Sequence, residues 1–206
     1  MTTIKISVQR RVKMLSTANY GKNNVADTIV SDAVRKTLIR WCNATRNHGT
    51  IIGGIAFSFY ARPRATMDID TVFLQETDVP TEVSGFKKIR RHCFMDKISH
   101  VEVEVLTPAV INVSPDLVKK VIELSFVDKH GIHVASVASI IALKLGRCSG
   151  QDRADIINLM KLAMKETGQV VDNAMIDVSS FNLSEDFLEK YRQLLELAVE
   201  EKIKRY

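Results

Sequence analysis

Residues 51–73 read IIGGIAFSFYARPRATMDIDTVF, and the architecture of the chain is read outward from them. Thr50 to Ile52 is a short β-branched run closed by Gly53 and Gly54, and Ile55 to Tyr60 has the composition of a short helix that stops before Pro63. The unit is strand, glycine turn, helix. A second strand follows at Ile69 to Leu74, its first residue bracketed by Asp68 and Asp70. These aspartates are two apart on a predicted strand, so both carboxylates project from one face. Carboxylates held that close repel each other unless a cation sits between them. Oxygen-only ligands at this spacing suit Mg²⁺ or Mn²⁺, which take one or two protein carboxylates and complete their shell with water and substrate phosphate. The plain alternative is a solvated strand edge. Gly53 and Gly54 argue against it, because a glycine turn opening a helix presents backbone N–H groups to an anion.

A third acidic element lies further on. Val101 to Leu106 alternates V-E-V-E-V-L, a strand with a valine face and a glutamate face that puts Glu102 and Glu104 together. Laid beside the aspartates, such a face gives three acids able to hold two divalent ions, as phosphoryl transfer requires; an edge strand blunted by charge is the competing reading. Around this centre the spacing predicts a helix from Asp32 to Arg46, a polar loop from Gln75 to Gly85 and an ambiguous basic segment from Phe86 to Asp96. Val121 to Val127 is expected as a strand, paired through a turn at Asp128 to Gly131 with Ile132 to Ala135. Helices are then expected over Val137 to Arg147, Asp152 to Glu166 and Asp186 to Lys204, the last two joined by the polar stretch Gly168 to Ser184. The fold class is α/β (α+β), a mixed sheet with flanking helices over residues 1–135 and a C-terminal helical bundle over 136–206.

Composition narrows the functional classes. Of 206 residues 46% are hydrophobic and 26% charged, enough apolar surface for a packed core rather than a disordered chain. No apolar run is long enough to span a membrane, and the opening MTTIKISVQRRVK has no apolar h-region, so a cytoplasmic protein without membrane contact is expected. Cys42, Cys93 and Cys148 are an odd, widely spaced set and read as reduced thiols. His130 and His133 sit in a predicted turn without further ligands, which argues against zinc. The net charge of +5 is compatible with a polyanionic partner. Lys87, Lys88, Arg90, Arg91 and His92, with Arg10, Arg11 and Lys13, could track an RNA backbone; a solvated face is the alternative.

The run G-G-x-A followed by R-x-T-x-D-I-D closely resembles the nucleotidyltransferase superfamily that shares its fold with DNA polymerase beta, and within it the bacterial abortive-infection toxins of the AbiEii type. Gly53, Gly54 and Ala56 match the glycine turn, Arg64 and Thr66 the R-x-T, and Asp68 and Asp70 the paired metal ligands. Glu104, in the setting E-V-L-T-P, looks like the family's third acid, usually aspartate. A-L-K-L-G-R followed by Q-D-R-A-D-I-I-N-L is similar to the helical signature and maps onto Lys144, Asp152 and Asp155. Gly-Gly replaces the superfamily's usual Gly-Ser, which leaves Ser58, one turn into the helix, as the substitute hydroxyl, and Pro63 beside Arg62 and Arg64 stiffens the loop before Asp68.

The resemblance implies transfer of a nucleoside monophosphate from an NTP to an acceptor hydroxyl. Asp68, Asp70 and Glu104 would be the Mg²⁺ or Mn²⁺ ligands, with Glu102 in reserve. Gly53, Gly54, Ser58, Arg64, Thr66, Asp152 and Asp155 would contact the nucleotide, and Lys144 would be catalytic, neutralising the departing pyrophosphate. It further implies tRNA or a protein as acceptor and a cognate antitoxin as partner. A small-molecule nucleotidyltransferase, recognisable by an acidic rather than basic acceptor cleft, and a catalytically inactive binding member of the fold are the competing readings. For Lys144 the bland reading is a surface lysine, and for Asp152 and Asp155 it is capping and salt bridging near a helix start.

Overall fold

The computed structural model describes residues 29, 31–61, 66–166 and 176–203. Arg10, Arg11, Lys13, Arg64 and Lys204 lie outside the described residues. Helix α1, Asp32–Ala44, starts where the Ser31 side chain accepts from the Val34 amide, and Val34, Leu38, Trp41 and Cys42 form its buried stripe as the spacing predicts. Strand β1, Thr50–Ile51, leads through Ile52 into helix α2, Gly53–Tyr60, and then strand β2, Asp68–Val72. The ambiguous basic segment is a hairpin of β3, Phe86–Arg90, and β4, Cys93–Asp96, followed by β5, Glu102–Leu106.

One expected strand is corrected. Val121 lies inside helix α4, Pro115–Glu123, which follows the short α3, Pro108–Ile111, and only β6, Phe126–Val127, is extended. The apolar run reads as a strand by composition. Ser114 caps the Leu117 amide, Pro115 occupies the first turn, and Leu117, Val118 and Val121 share the buried face at helical spacing. Strand β7, His133–Val134, returns antiparallel to β6 across a turn in which Asp128 accepts from the amides of His130 and Ile132 at 2.8 and 2.9 Å. Helices α5, Val137–Arg147, α6, Gly150–Glu166, and α7, Glu185–Ile203, complete the chain.

The seven strands form one mixed sheet in the order β3-β4-β5-β2-β1-β7-β6, with β2–β5 and β1–β7 parallel. Ile69, Thr71, Val103 and Val105 are buried on one face, which α1 covers: Trp41 meets Phe86 edge-on at 5.2 Å and Phe94 at 5.3 Å. Buried Asp96 anchors the same contact. Burial alone would raise its carboxyl, but hydrogen bonds from Arg40, Ser99 and Thr37 hold it well below the usual range. The apolar core continues past residue 136, taking in Leu145, Ile156, Leu194 and Ala198. Among the described residues no helix is long and apolar enough to cross a membrane.

Candidate active site

The face opposite α1 carries the acids. Parallel pairing sets Asp68 beside Glu102 and Asp70 beside Glu104, while β4 sets Cys93 beside Glu104 and Met95 beside Glu102. Registered neighbours share a face, so four carboxylates stand in two adjacent rows on one side of the sheet. The face is open: the Glu102 and Glu104 side chains are 39% and 41% exposed.

Asp70 carries a raised carboxyl. Burial, then the charges of Asp68 and Glu104, push its carboxyl up to about 6, against a smaller downward pull from Lys144 and Arg147. Thr66 steadies its neighbour, donating to an Asp68 carboxylate oxygen at 3.0 Å. The glycine turn lies directly against this pair. Gly53 has φ +62°, and a Cβ there would come within 1.9 Å of Asp70 Oδ2, so only glycine fits. Ile52 at the head of α2 makes no side-chain capping bond, so the first-turn amides open beside Asp70. Ser58 is buried and its hydroxyl donates to the Gly54 carbonyl at 2.9 Å.

The helical signature forms a buried ionic cluster. Ser149 and Asp152 make a reciprocal capping box at the start of α6, each side chain meeting the other's amide at 3.2 Å. Lys144 reaches Asp152 and Asp155 at 2.9 Å each, and Arg147 clamps Asp152 with two nitrogens at 2.7 and 2.9 Å. Asp152 is held well below the usual carboxylate range, first by Arg147. Both aspartates are buried and Lys144 is nearly so, whereas the Arg147 side chain is 75% exposed. The geometry is that of capping and salt bridging, with Lys144 and Arg147 in electrostatic reach of Asp70.

Three residues at the site escape sequence reasoning. Arg90 donates to Glu102 at 2.7 Å and lies 4.0 Å from Glu104, and Cys93 stands 3.4 Å from both Arg90 and Glu102. Burial, followed by the hydrogen bond to Glu102, raises the Cys93 thiol. Arg147 is the third; its place after Lys144 on α5 was the available signal. Cys93, Glu102 and Glu104 each bring a ligand atom within 4.8 Å of the others, a set that shares Glu104 with the expected trio but includes neither Asp68 nor Asp70. The register still sets Glu104, not Glu102, beside Asp70. Crowded oxygen donors around a carboxyl raised first by burial and then by two acids could hold a hard divalent cation.

One row further along the same face, a cavity of about 410 Å³ is lined by Val72, Thr50, His133, Asn47, Asp78 and Ile122. None of the four carboxylates lines it. The fold and this face define a mixed α/β protein with an open carboxylate cluster beside a glycine helix start. No family model matches the chain, and no curated protein is significantly similar to it.

Proposed function

We propose that this chain is a nucleotidyltransferase, moving a nucleoside monophosphate from an NTP to an acceptor hydroxyl. The observation that carries the reading is the register of β2 on β5, which sets Asp70 against Glu104, with Gly53 packed on Asp70. Asp68, Asp70 and Glu104 would hold Mg²⁺ or Mn²⁺, which when bound neutralises the oxygens of the reacting phosphate. The amides at Gly53 and Gly54 receive the distal phosphates. The acceptor oxygen bonds to the α-phosphorus as the bond to the bridging oxygen breaks, pyrophosphate leaves, and Glu104 takes the hydroxyl proton. Arg147 and Lys144 offset the charge of the departing pyrophosphate. Asp152 and Asp155 act by fixing those two cations rather than by touching the nucleotide. Thr66 positions Asp68.

The resemblance favours tRNA or a protein as acceptor, and with it a cognate antitoxin. A small-molecule acceptor is the second reading, and the state of the basic cluster favours it. Arg91 and His92 sit on Glu76 at 3.3 and 3.4 Å, Arg90 is held by Glu102, and Lys88 lies over the Phe94 ring on the α1 side of the sheet. Lys87 and Lys88 make no ion pair among the described residues, but Arg90, Arg91 and His92 each face a glutamate, so the acceptor side is more acidic than the sequence suggests. Incubation with each α-labelled NTP, Mg²⁺ and either total RNA, cell protein or a hydroxylated small-molecule pool tests both readings. Label should enter one pool and vanish in Asp68→Asn and Asp70→Asn; labelling unaffected by either substitution, or none in any pool, refutes the transferase.

A further inference from the structure

We infer that Arg90 is the resident counter-cation of the carboxylate face and that a divalent ion entering at Glu104 must displace it. This deepens the proposed function and rests on its metal reading of Asp68, Asp70 and Glu104.

The placement of Arg90 comes from a defect in the sheet. β3 pairs in regular antiparallel register with β4 as far as Lys88 opposite Phe94, and the next pair is Arg90 opposite Cys93, with Ile89 the extra residue. Without that bulge Ile89 would oppose Cys93, and strict alternation would send Arg90 to the face covered by α1. The bulge instead aims the guanidinium into the row Cys93, Glu104, Asp70. There one nitrogen, Nη2, meets Glu102 at 2.7 Å, Cys93 Sγ at 3.4 Å and Glu104 at 4.0 Å.

The chemistry of that position is competition. Four carboxylates crowd the face, and Lys144 and Arg147 spend their short contacts on Asp152 and Asp155. Among the described residues Arg90 is therefore the cation paired with the two glutamates, and because a guanidinium does not lose its proton it is present at any working pH. Its side chain is 62% exposed, so its ion pair is weak and readily broken. A divalent ion sharing Glu104 would meet the guanidinium at short range and drive it toward solvent, and by linkage the presence of Arg90 weakens the metal to the same extent.

The experiment is a Mn²⁺ titration of the full chain, reading free Mn²⁺ by EPR, for wild type, Arg90→Gln and Arg90→Lys. Loss of the positive charge in Arg90→Gln should tighten Mn²⁺ binding about fivefold, the upper range for an exposed ion pair, and Arg90→Lys should stay near wild type. In wild type, Mg²⁺ titrated into ¹⁵N-labelled protein should move the Arg90 side-chain N–H signal with the midpoint of metal binding; the signal is assigned by its loss in Arg90→Gln. Equal or weaker Mn²⁺ binding in Arg90→Gln, or an Arg90 signal that stays fixed while Mg²⁺ binds, overturns the inference and leaves the transferase reading standing. Failure of both wild type and Arg90→Gln to bind Mn²⁺ overturns both.

Discussion

Asp70→Asn should make the metal-free protein more stable while abolishing transfer. The Asp70 carboxyl rises from 3.8 to about 6 on folding, chiefly through burial and then through Asp68 and Glu104. At about 1.4 kcal/mol per pH unit the ionised carboxylate costs the folded state about 3 kcal/mol, and access of water to the open face reduces this to about 2 kcal/mol. The direction follows from proton counting: between pH 3.8 and about 6 the folded chain keeps a proton that the unfolded chain releases. Stability from this group is therefore full below 3.8, falls as pH rises and is gone above about 6. Lowered carboxyls such as Asp152 act oppositely in acid, so the informative quantity is the difference between variant and wild type. Urea unfolding in EDTA at pH 4 and pH 8 measures it. The variant should gain little at pH 4 and about 2 kcal/mol at pH 8, a rise of about 4–8 °C in Tm for a chain of this size, and added Mg²⁺ should stabilise wild type more than the variant. An Asn variant less stable than wild type at pH 8, or a gain independent of pH, refutes the claim that Asp70 is held against its own neighbours.

Gly53→Ala puts a methyl where Asp70 Oδ2 now lies, at a backbone angle that disfavours side chains; it should lose at least about 1 kcal/mol by urea unfolding and at least tenfold in transfer rate, and a near-normal rate would separate the glycine turn from the chemistry. Lys144→Met leaves buried Asp152 and Asp155 short of a cation and should cost about 3 kcal/mol, measured by thermal unfolding at pH 8; a neutral outcome would show that Arg147 alone sustains the cluster. Binding of labelled tRNA, followed between about 50 and 200 mM salt, should show a shallow slope of about two phosphate contacts or fewer, since Arg90, Arg91 and His92 are engaged by Glu102 and Glu76. A steep slope would restore the RNA acceptor.

What the sequence disclosed followed from short-range rules. Period two along β2 and β5 put each acid pair on one face, and the helix after Gly53 followed from its apolar composition. The pairing of β2 with β5 was only a conjecture at that stage, because strand order depends on contacts distant in the chain. The Phe86–Asp96 hairpin defeated pattern reading for a related reason. A bulge breaks its alternation between Lys88 and Arg90, and Phe94 faces α1 while Cys93 faces the acids, so neither face is uniformly apolar or polar. Val121 misled because β-branched composition outweighed a start signal, Ser114-Pro115, six residues upstream. Ser58 reads as a phosphate hydroxyl from its helical position alone, and a serine inside a helix commonly bonds the carbonyl one turn back, as it does here to Gly54.

The buried cluster on α5 and α6 explains why the acid face retains unbalanced negative charge. Lys144 and Arg147 lie near enough to Asp70 to lower its carboxyl, yet burial and two neighbouring acids outweigh them. Distance decides the contest. Both cations make their contacts of 2.7–2.9 Å with Asp152 and Asp155, and Coulomb energy falls with separation, so most of their charge is compensated before it reaches the sheet. Pinned by Asp152, both have part of their charge compensated, and on the proposed reading Arg90 or a divalent ion would supply the rest. Asp152→Asn should therefore lower the Asp70 carboxyl from about 6 toward the ordinary range, readable by NMR titration of the Asp70 side chain. An unchanged or higher value would mean that α5 and α6 do not govern the charge of the site.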